Sequence, residues 1–338
     1  MPHNDLPRCL VTGGAGFIGS HIVEHLLTLG HSVVVVDNFS TGRPENLAHL
    51  ANAGPRLSVF KRDLADPNAL DGVLKGVEWV FHLAALADIV PSIQHPMEYF
   101  RANVDGTANL LEALRAHGCV KRMVYAASSS CYGIPDVFPT PESAEIRPQY
   151  PYALTKYMAE EMVLHWARVY GLPAVTLRLF NVYGPRSRTS GTYGAVFGVF
   201  LAQKLAGHPY TVVGDGTQTR DFTFVSDVVD AFLTAIRSDL VGEAMNVGSD
   251  NTYSVNRLVE LLGGPVTHIP KRPGEPDCTF ADVSKIKRLL GWSAKVPLEQ
   301  GVATMLDNIE YWRQAPVWNS TTIADATKDW FRFLGKQP

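Results

Sequence analysis

Tyr152 and Lys156 stand four positions apart in a 338-residue chain, at the start of the Pro-led segment YPYALTKY. Residues at that spacing meet on one face of any helix. A phenol beside an ammonium is an acid-base centre if a reaction is brought to it and a solvated surface pair if none is. An unperturbed tyrosine titrates at about 10, whereas an efficient base titrates near the working pH. Closing a gap of ~3 units requires ~4 kcal/mol of preferential phenolate stabilisation, at about 1.4 kcal/mol per unit. Nearby positive charge supplies energy of that size; a neutral neighbour does not.

A ligand for such a pair is suggested upstream. VTGGAGFIGSH sets Gly14, Gly16 and Gly19 in a GxGxxG, preceded by Gly13 and enclosing Phe17 and Ile18. It lies between a strand and a helix expected from about Phe17. Glycines there let the backbone turn tightly and approach a pyrophosphate, whose charge the helix-start N–H groups stabilise. Asp37 closes the second strand, where a carboxylate accepts hydrogen bonds from an adenosine ribose and repels a 2′-phosphate. NAD is the cofactor expected; Arg43 is the one nearby residue that argues for NADP.

These residues need a scaffold. Apolar runs at CLVTGG, SVVVVD, LSVF, WVFHLAA, RMVYAAS and AVTLRLF alternate with helical patterns. Such a chain folds as α/β, a Rossmann-like doubly wound parallel sheet, with ligands beyond the carboxyl ends of the strands. From about Asn181, Gly and Pro clusters loosen the pattern. The expected division is residues 1–180 as the cofactor domain, with a return segment near 219–248. Residues 181–218 and 249–338 then form a smaller mixed α/β lobe. TIADATKDWFRFL near the end reads as one amphipathic helix.

A hydrophobic content of 46% and a formal net charge of −3 describe a soluble globular chain. Without a basic run, nucleic acid is not an expected partner. No apolar run reaches membrane-span length and the start lacks a signal peptide's apolar stretch, so a cytoplasmic protein is expected. Four scattered cysteines and eleven histidines lack CxxC or HExxH spacing, so no metal is expected.

Taken in order, TGGAGFIGS, DNFSTG, RDLAD, FHLAA, NVDGT, SSSCYG, YPYALTK, RLFNVYGPR, GDGTQTRDF and NVGS resemble the extended short-chain dehydrogenase/reductase family, specifically its nucleotide-sugar epimerases and dehydratases. The resemblance implies that Asp37, Asn38, Ser40 and Thr41, with Gly42, hold the adenosine ribose. It places Asp63 and Leu64 at the adenine, Ala84 and Ala85 near the pyrophosphate, and Asn103 as a support of the cofactor lobe. Tyr152 and Lys156 become the YxxxK pair, with Lys156 and the nicotinamide charge stabilising the phenolate. Ser128 becomes the partner of the sugar hydroxyl being oxidised. Asn181, Arg220 and Arg272 match positions that bind the nucleotide diphosphate, and guanidinium donors suit phosphate oxygens. Each arginine can equally be a solvated surface residue.

The same resemblance orders the possible reactions. Dehydratases carry a Thr-Asp-Glu pattern where this chain has Ser128, Ser129 and Ser130, and decarboxylases carry a glutamate at the position of Ser130. The serine run is similar to 4-epimerases of UDP-glucose and UDP-N-acetylglucosamine. That implies oxidation at the sugar 4′-hydroxyl with Tyr152 as base, turning of the 4-ketose, and reduction on its opposite face. Alternatives are a 4-dehydrogenase, or a UDP-glucuronate epimerase or decarboxylase, on a UDP-, GDP- or dTDP-sugar. Thr279 falls near a gate position where a residue smaller than tyrosine implies access for an N-acetyl group; it can also be an ordinary loop residue. MEYFRANVDGTANLLEALRAH and YALTKYMAEEMVLHWARVYG resemble the helices of a family homodimer, although they can pack on the sheet alone.

Overall fold

A computed structural model describes residues 6–187 and 194–335. Residues 188–193, in the glycine-containing run after Asn181, lie outside the described residues. The main sheet is built from β1 (Arg8–Thr12), β2 (Val33–Asp37), β3 (Leu57–Lys61), β4 (Val77–His82), β5 (Arg122–Ser128), β6 (Ala174–Leu179) and β7 (Ala244–Val247). Their order is β7-β6-β5-β4-β1-β2-β3, and every pairing is parallel. The order reverses between β1 and β4, which opens a crevice beyond their carboxyl ends.

Alternation along the strands makes the two sheet faces. Val11, Val35, Phe81 and Val124 face one core with Ile22 and Leu26 of α1 (Phe17–Thr28). Leu10, Val34, Val80 and Met123 face the opposite core with Leu110 and Leu114 of α2 (Gly106–His117) and Val163 of α3 (Pro151–Tyr170). The helix α4 (Val225–Arg237) adds Val228 and Phe232 to the first face. Both faces are covered, so near-continuous apolar strands are what this sheet requires. Tyr183, Phe197, Phe200, Tyr210 and Trp312 form a separate core beside the carboxyl ends.

Two local features depart from simple patterns. The helical stretch through α2 begins at Pro96 and passes through a π-helical segment, Arg101–Asp105, that carries Asn103. The single helix expected near the end is two: Ser320–Ala326, capped by Asn319, and α5 (Lys328–Leu334). They divide at Thr327, whose hydroxyl donates to Ile323 O at 2.8 Å. The division lets Ile323 enter the core around Trp312 while Trp330 is buried elsewhere, against Pro273.

Candidate active site

The glycine turn follows β1 directly. Gly13 has φ +68°, and a Cβ there would lie 2.7 Å from Ala84 N, so the turn and the strand-end loop after β4 are in backbone contact. At Gly19 a Cβ would lie 2.2 Å from Gly13 O, which only glycine permits. Gly16 precedes α1 without a side-chain cap, and the first turn carries no acidic residue. The helix therefore points an uncompensated positive end into the crevice. Asp37 accepts from Ala15 N at 2.9 Å and Phe39 N at 2.8 Å. Burial raises its pKa and these backbone donors oppose that.

Asn38, Ser40, Thr41, Asp63 and Leu64 line the same cleft, of about 680 Å³, with Phe17, Ile18, Ala84 and Ala85. Gly42 has a different place: a Cβ there would lie 2.8 Å from the Asp37 carboxylate, so it makes room for that side chain. Asn103 is also withdrawn from the cleft and almost wholly buried. It accepts from Leu86 N at 2.8 Å, and its amide donates to Leu86 O and to Thr155 Oγ1, both at 3.0 Å. Thr155 in turn donates to Tyr152 O. Asn103 thus ties the loop after β4 to the first turn of α3.

A buried chain extends this link. Thr107 donates to Asn103 O at 2.6 Å, so the 2.9 Å contact between Thr107 and His82 Nε2 has the imidazole donating. Burial lowers the His82 pKa to about 3. The neutral ring then accepts at Nδ1 from Thr12 Oγ1, 2.7 Å away. Thr12 Oγ1 receives Leu83 N and Ala84 N at 3.2 and 3.3 Å. β1, β4, the π segment and α3 are joined through saturated polar groups.

Pro151 occupies the first turn of α3, where its fixed φ suits a helix start. Tyr152 and Lys156 consequently face the cleft together. Tyr152 Oη donates to Ser128 Oγ at 3.3 Å, and Ser128 Oγ lies 2.8 Å from Ser130 Oγ. Burial raises the Tyr152 pKa, with the serine hydroxyls opposing. Lys156 is buried, donates to Ala126 O at 2.6 Å and stands 4.2 Å from the centre of the Tyr125 ring. Burial lowers its pKa to about 7, against a pull upward from Glu160. Glu160 sits one turn further along α3 and holds Arg178 at 2.8 Å in a buried ion pair.

On the opposite wall, Arg220 and Arg272 converge on Glu275, at 2.9 and 2.8 Å. They are one another's neighbours through a shared carboxylate, and neither is a solvated surface residue. Ser129, Ser130, Asn181 and Thr279 also line the cleft. Thr279 donates to Asn181 Oδ1 at 2.6 Å and accepts from Asp221 N at 3.2 Å. Burial raises the pKa of the Asp221 carboxyl to about 6, and its oxygens accept from Ser249 N, Ser249 Oγ and Ala281 N. Glu275, Glu160, Tyr150 and Asp221 were not singled out from sequence. The Arg-x-x-Glu spacing of Arg272 and Glu275 was the one signal for any of them.

The first strand, glycine turn and crevice define a dinucleotide-binding oxidoreductase-type scaffold. Residues 9–248 match the model of the NAD dependent epimerase/dehydratase family. The chain belongs to that family. The UDP-glucose 4-epimerase of Mycolicibacterium smegmatis is 37% identical over 310 residues, covering 89% of this chain and 97% of that one. The UDP-glucose 4-epimerase of Thermotoga maritima, solved with UDP-glucose, superposes with a TM-score of 0.82 at 36% identity, covering 91% of this chain and 99% of that one. The UDP-glucuronic acid 4-epimerase of Bacillus cereus, solved with UDP-glucuronic acid and NAD, gives a TM-score of 0.82 at 31% identity, covering 90% and 99%.

Proposed function

We propose that this enzyme is an NAD-dependent nucleotide-sugar 4-epimerase acting on a UDP-sugar. The observation that carries the reading is the junction of Tyr152, Ser128 and Lys156 in one cleft with the glycine turn on one side and Arg220 and Arg272 on the other. The uncapped start of α1 fits a pyrophosphate, and Asp37 fits a ribose without a 2′-phosphate. When bound, NAD supplies a reversible hydride acceptor.

The protein's own groups supply the rest. Ser128 and Tyr152 orient the sugar 4-hydroxyl, and Tyr152 takes its proton. Lys156, held by Ala126 O, shares the cleft with the phenol and is charged there below about pH 7, while Ser128 and Ser130 hydroxyls solvate the phenol. Arg220 and Arg272 bind the diphosphate, with Glu275 fixing their orientation and Asn181 alongside; the sugar then turns about the held diphosphate. Asn38, Ser40, Thr41, Asp63 and Leu64 cradle the adenosine end. Asn103 and Gly42 support that cradle from behind.

Serines at 129 and 130, with no acid in either place, argue against elimination and decarboxylation. Thr279 leaves the sugar end open enough for an N-acetyl group. Met97, Leu154, Val169 and Tyr170 are exposed along the expected pairing helices, which supports a homodimer. Cysteines that form no disulfide among the described residues support a cytoplasmic setting. Incubation with UDP-, GDP- and dTDP-sugars, read by NMR, tests the reading: interconversion at C4 of a UDP-sugar is expected. Accumulation of a free ketose, or release of carbon dioxide from a glucuronate, would replace it.

A further inference from the structure

The matched family model ends at residue 248, so Arg272, Glu275 and the tail beyond residue 315 all lie outside it. Yet the tail reaches the cleft. Trp330 of α5 is 3% exposed and lines it. Its Nε1 donates to Pro273 O at 2.7 Å, next to Arg272. The Arg272 guanidinium lies 5.3 Å from the indole centre, and the Tyr150 ring lies 6.2 Å from it. Tyr150 is itself stacked on Tyr152, at 6.4 Å and 6° between planes.

The same helix also reaches the other wall. Gln94, in the helix Ile89–Gln94 after the β4 loop, donates to Asp329 at 3.3 Å. Leu334 packs beside Gly274. Thus α5 is anchored to both sides of the cleft, with Trp330 between the Arg272 guanidinium and the Tyr150 ring.

We infer that α5 is a fixed clasp of the substrate cleft and that Trp330 is a positioning residue for Arg272, holding its guanidinium on the indole so that it meets the substrate diphosphate. Glu275 holds the guanidinium at Nε, and the Trp330 ring lies beside it. The ion pair and the ring contact together restrain the guanidinium more than either does by itself. A guanidinium on an indole face is also attracted to it electrostatically, more strongly when desolvated. This rests on the proposed nucleotide-sugar reading, since it assigns Arg272 to phosphate.

Titration calorimetry of the purified full chain with UDP, GDP and dTDP tests it without turnover. Trp330→Leu keeps apolar volume and removes the aromatic face; its Kd for the nucleotide bound by wild type should rise about tenfold, with KM for the sugar nucleotide following and kcat within threefold. Trp330→Phe restores most of the affinity. In an Arg272→Ala background, Trp330→Leu should change Kd by less than twofold, because the residue acts through that arginine. Unchanged nucleotide affinity in Trp330→Leu, or a full penalty without Arg272, overturns the clasp. Wild-type protein that binds none of the three nucleotides overturns the nucleotide-sugar reading, and the clasp with it.

Discussion

Lys156→Met separates what the buried amine costs the fold from what it does for catalysis. In water the lysine titrates near 10.5, and burial lowers it to about 7. Between those values the unfolded chain binds the extra proton and the folded protein does not. Stability therefore rises with pH across that window, and the lysine's destabilising effect is fully present below it. Moving from pH 7.5 to 9.5 should relieve roughly 2.5 kcal/mol, from about 1.4 kcal/mol per unit less the partial titration at either end. The methionine variant lacks this dependence. Urea unfolding of cofactor-stripped wild type and Lys156→Met at both pH values should show their stability difference moving by that amount in favour of wild type. The lost hydrogen bond to Ala126 O shifts the difference by a constant and cancels. Assayed at about pH 6.5, where the lysine is still largely protonated, the same variant should lose about 10³ in kcat, the equivalent of ~4 kcal/mol of phenolate stabilisation. A stability difference independent of pH, or a variant within tenfold of wild-type turnover, refutes the reasoning.

Other expectations follow from single contacts. Tyr152→Phe removes the proposed proton acceptor, so kcat should fall by about 10²–10⁴ with nucleotide affinity unchanged by calorimetry. Gly19→Ala puts a methyl 2.2 Å from Gly13 O, and the purified variant should contain no bound NAD by absorbance after denaturation. Thr279→Tyr should lower kcat/KM for UDP-N-acetylglucosamine relative to UDP-glucose by at least tenfold; an unchanged ratio removes the gate assignment.

Local spacing made part of this site legible. Tyr152 and Lys156 are one helical turn apart, and Gly13, Gly16 and Gly19 lie in one short turn, so sequence neighbours are spatial neighbours. The parallel sheet was legible because β1, β2 and β4 are buried on both faces and read as continuous apolar runs. Contacts made across the fold left no such trace. His82 meets Thr12 across 70 residues and Thr107 across 25, and nothing in their separate segments shows one hydrogen-bonded chain. Trp330 reaches Tyr150 across most of the chain. The divided tail was missed because its apolar positions fit one helix; the backbone leaves helical geometry at Thr327, φ −97° and ψ 4°, and only tertiary packing shows that Ile323 and Trp330 serve different surfaces. Gly42 and Asn103 sit in cofactor motifs yet act one layer behind the cleft, a distinction that motif position does not carry.

The central claim is that one carbon is oxidised and then reduced within a cleft in which Tyr152 exchanges the hydroxyl proton. Deuterium placed on C4 of the UDP-sugar measures this most directly. The C4 epimer recovered by NMR from wild type should keep the label on C4, and Tyr152→Phe should form no epimer. Loss of the label to water, or a labelled epimer formed at the wild-type rate by Tyr152→Phe, would contradict it.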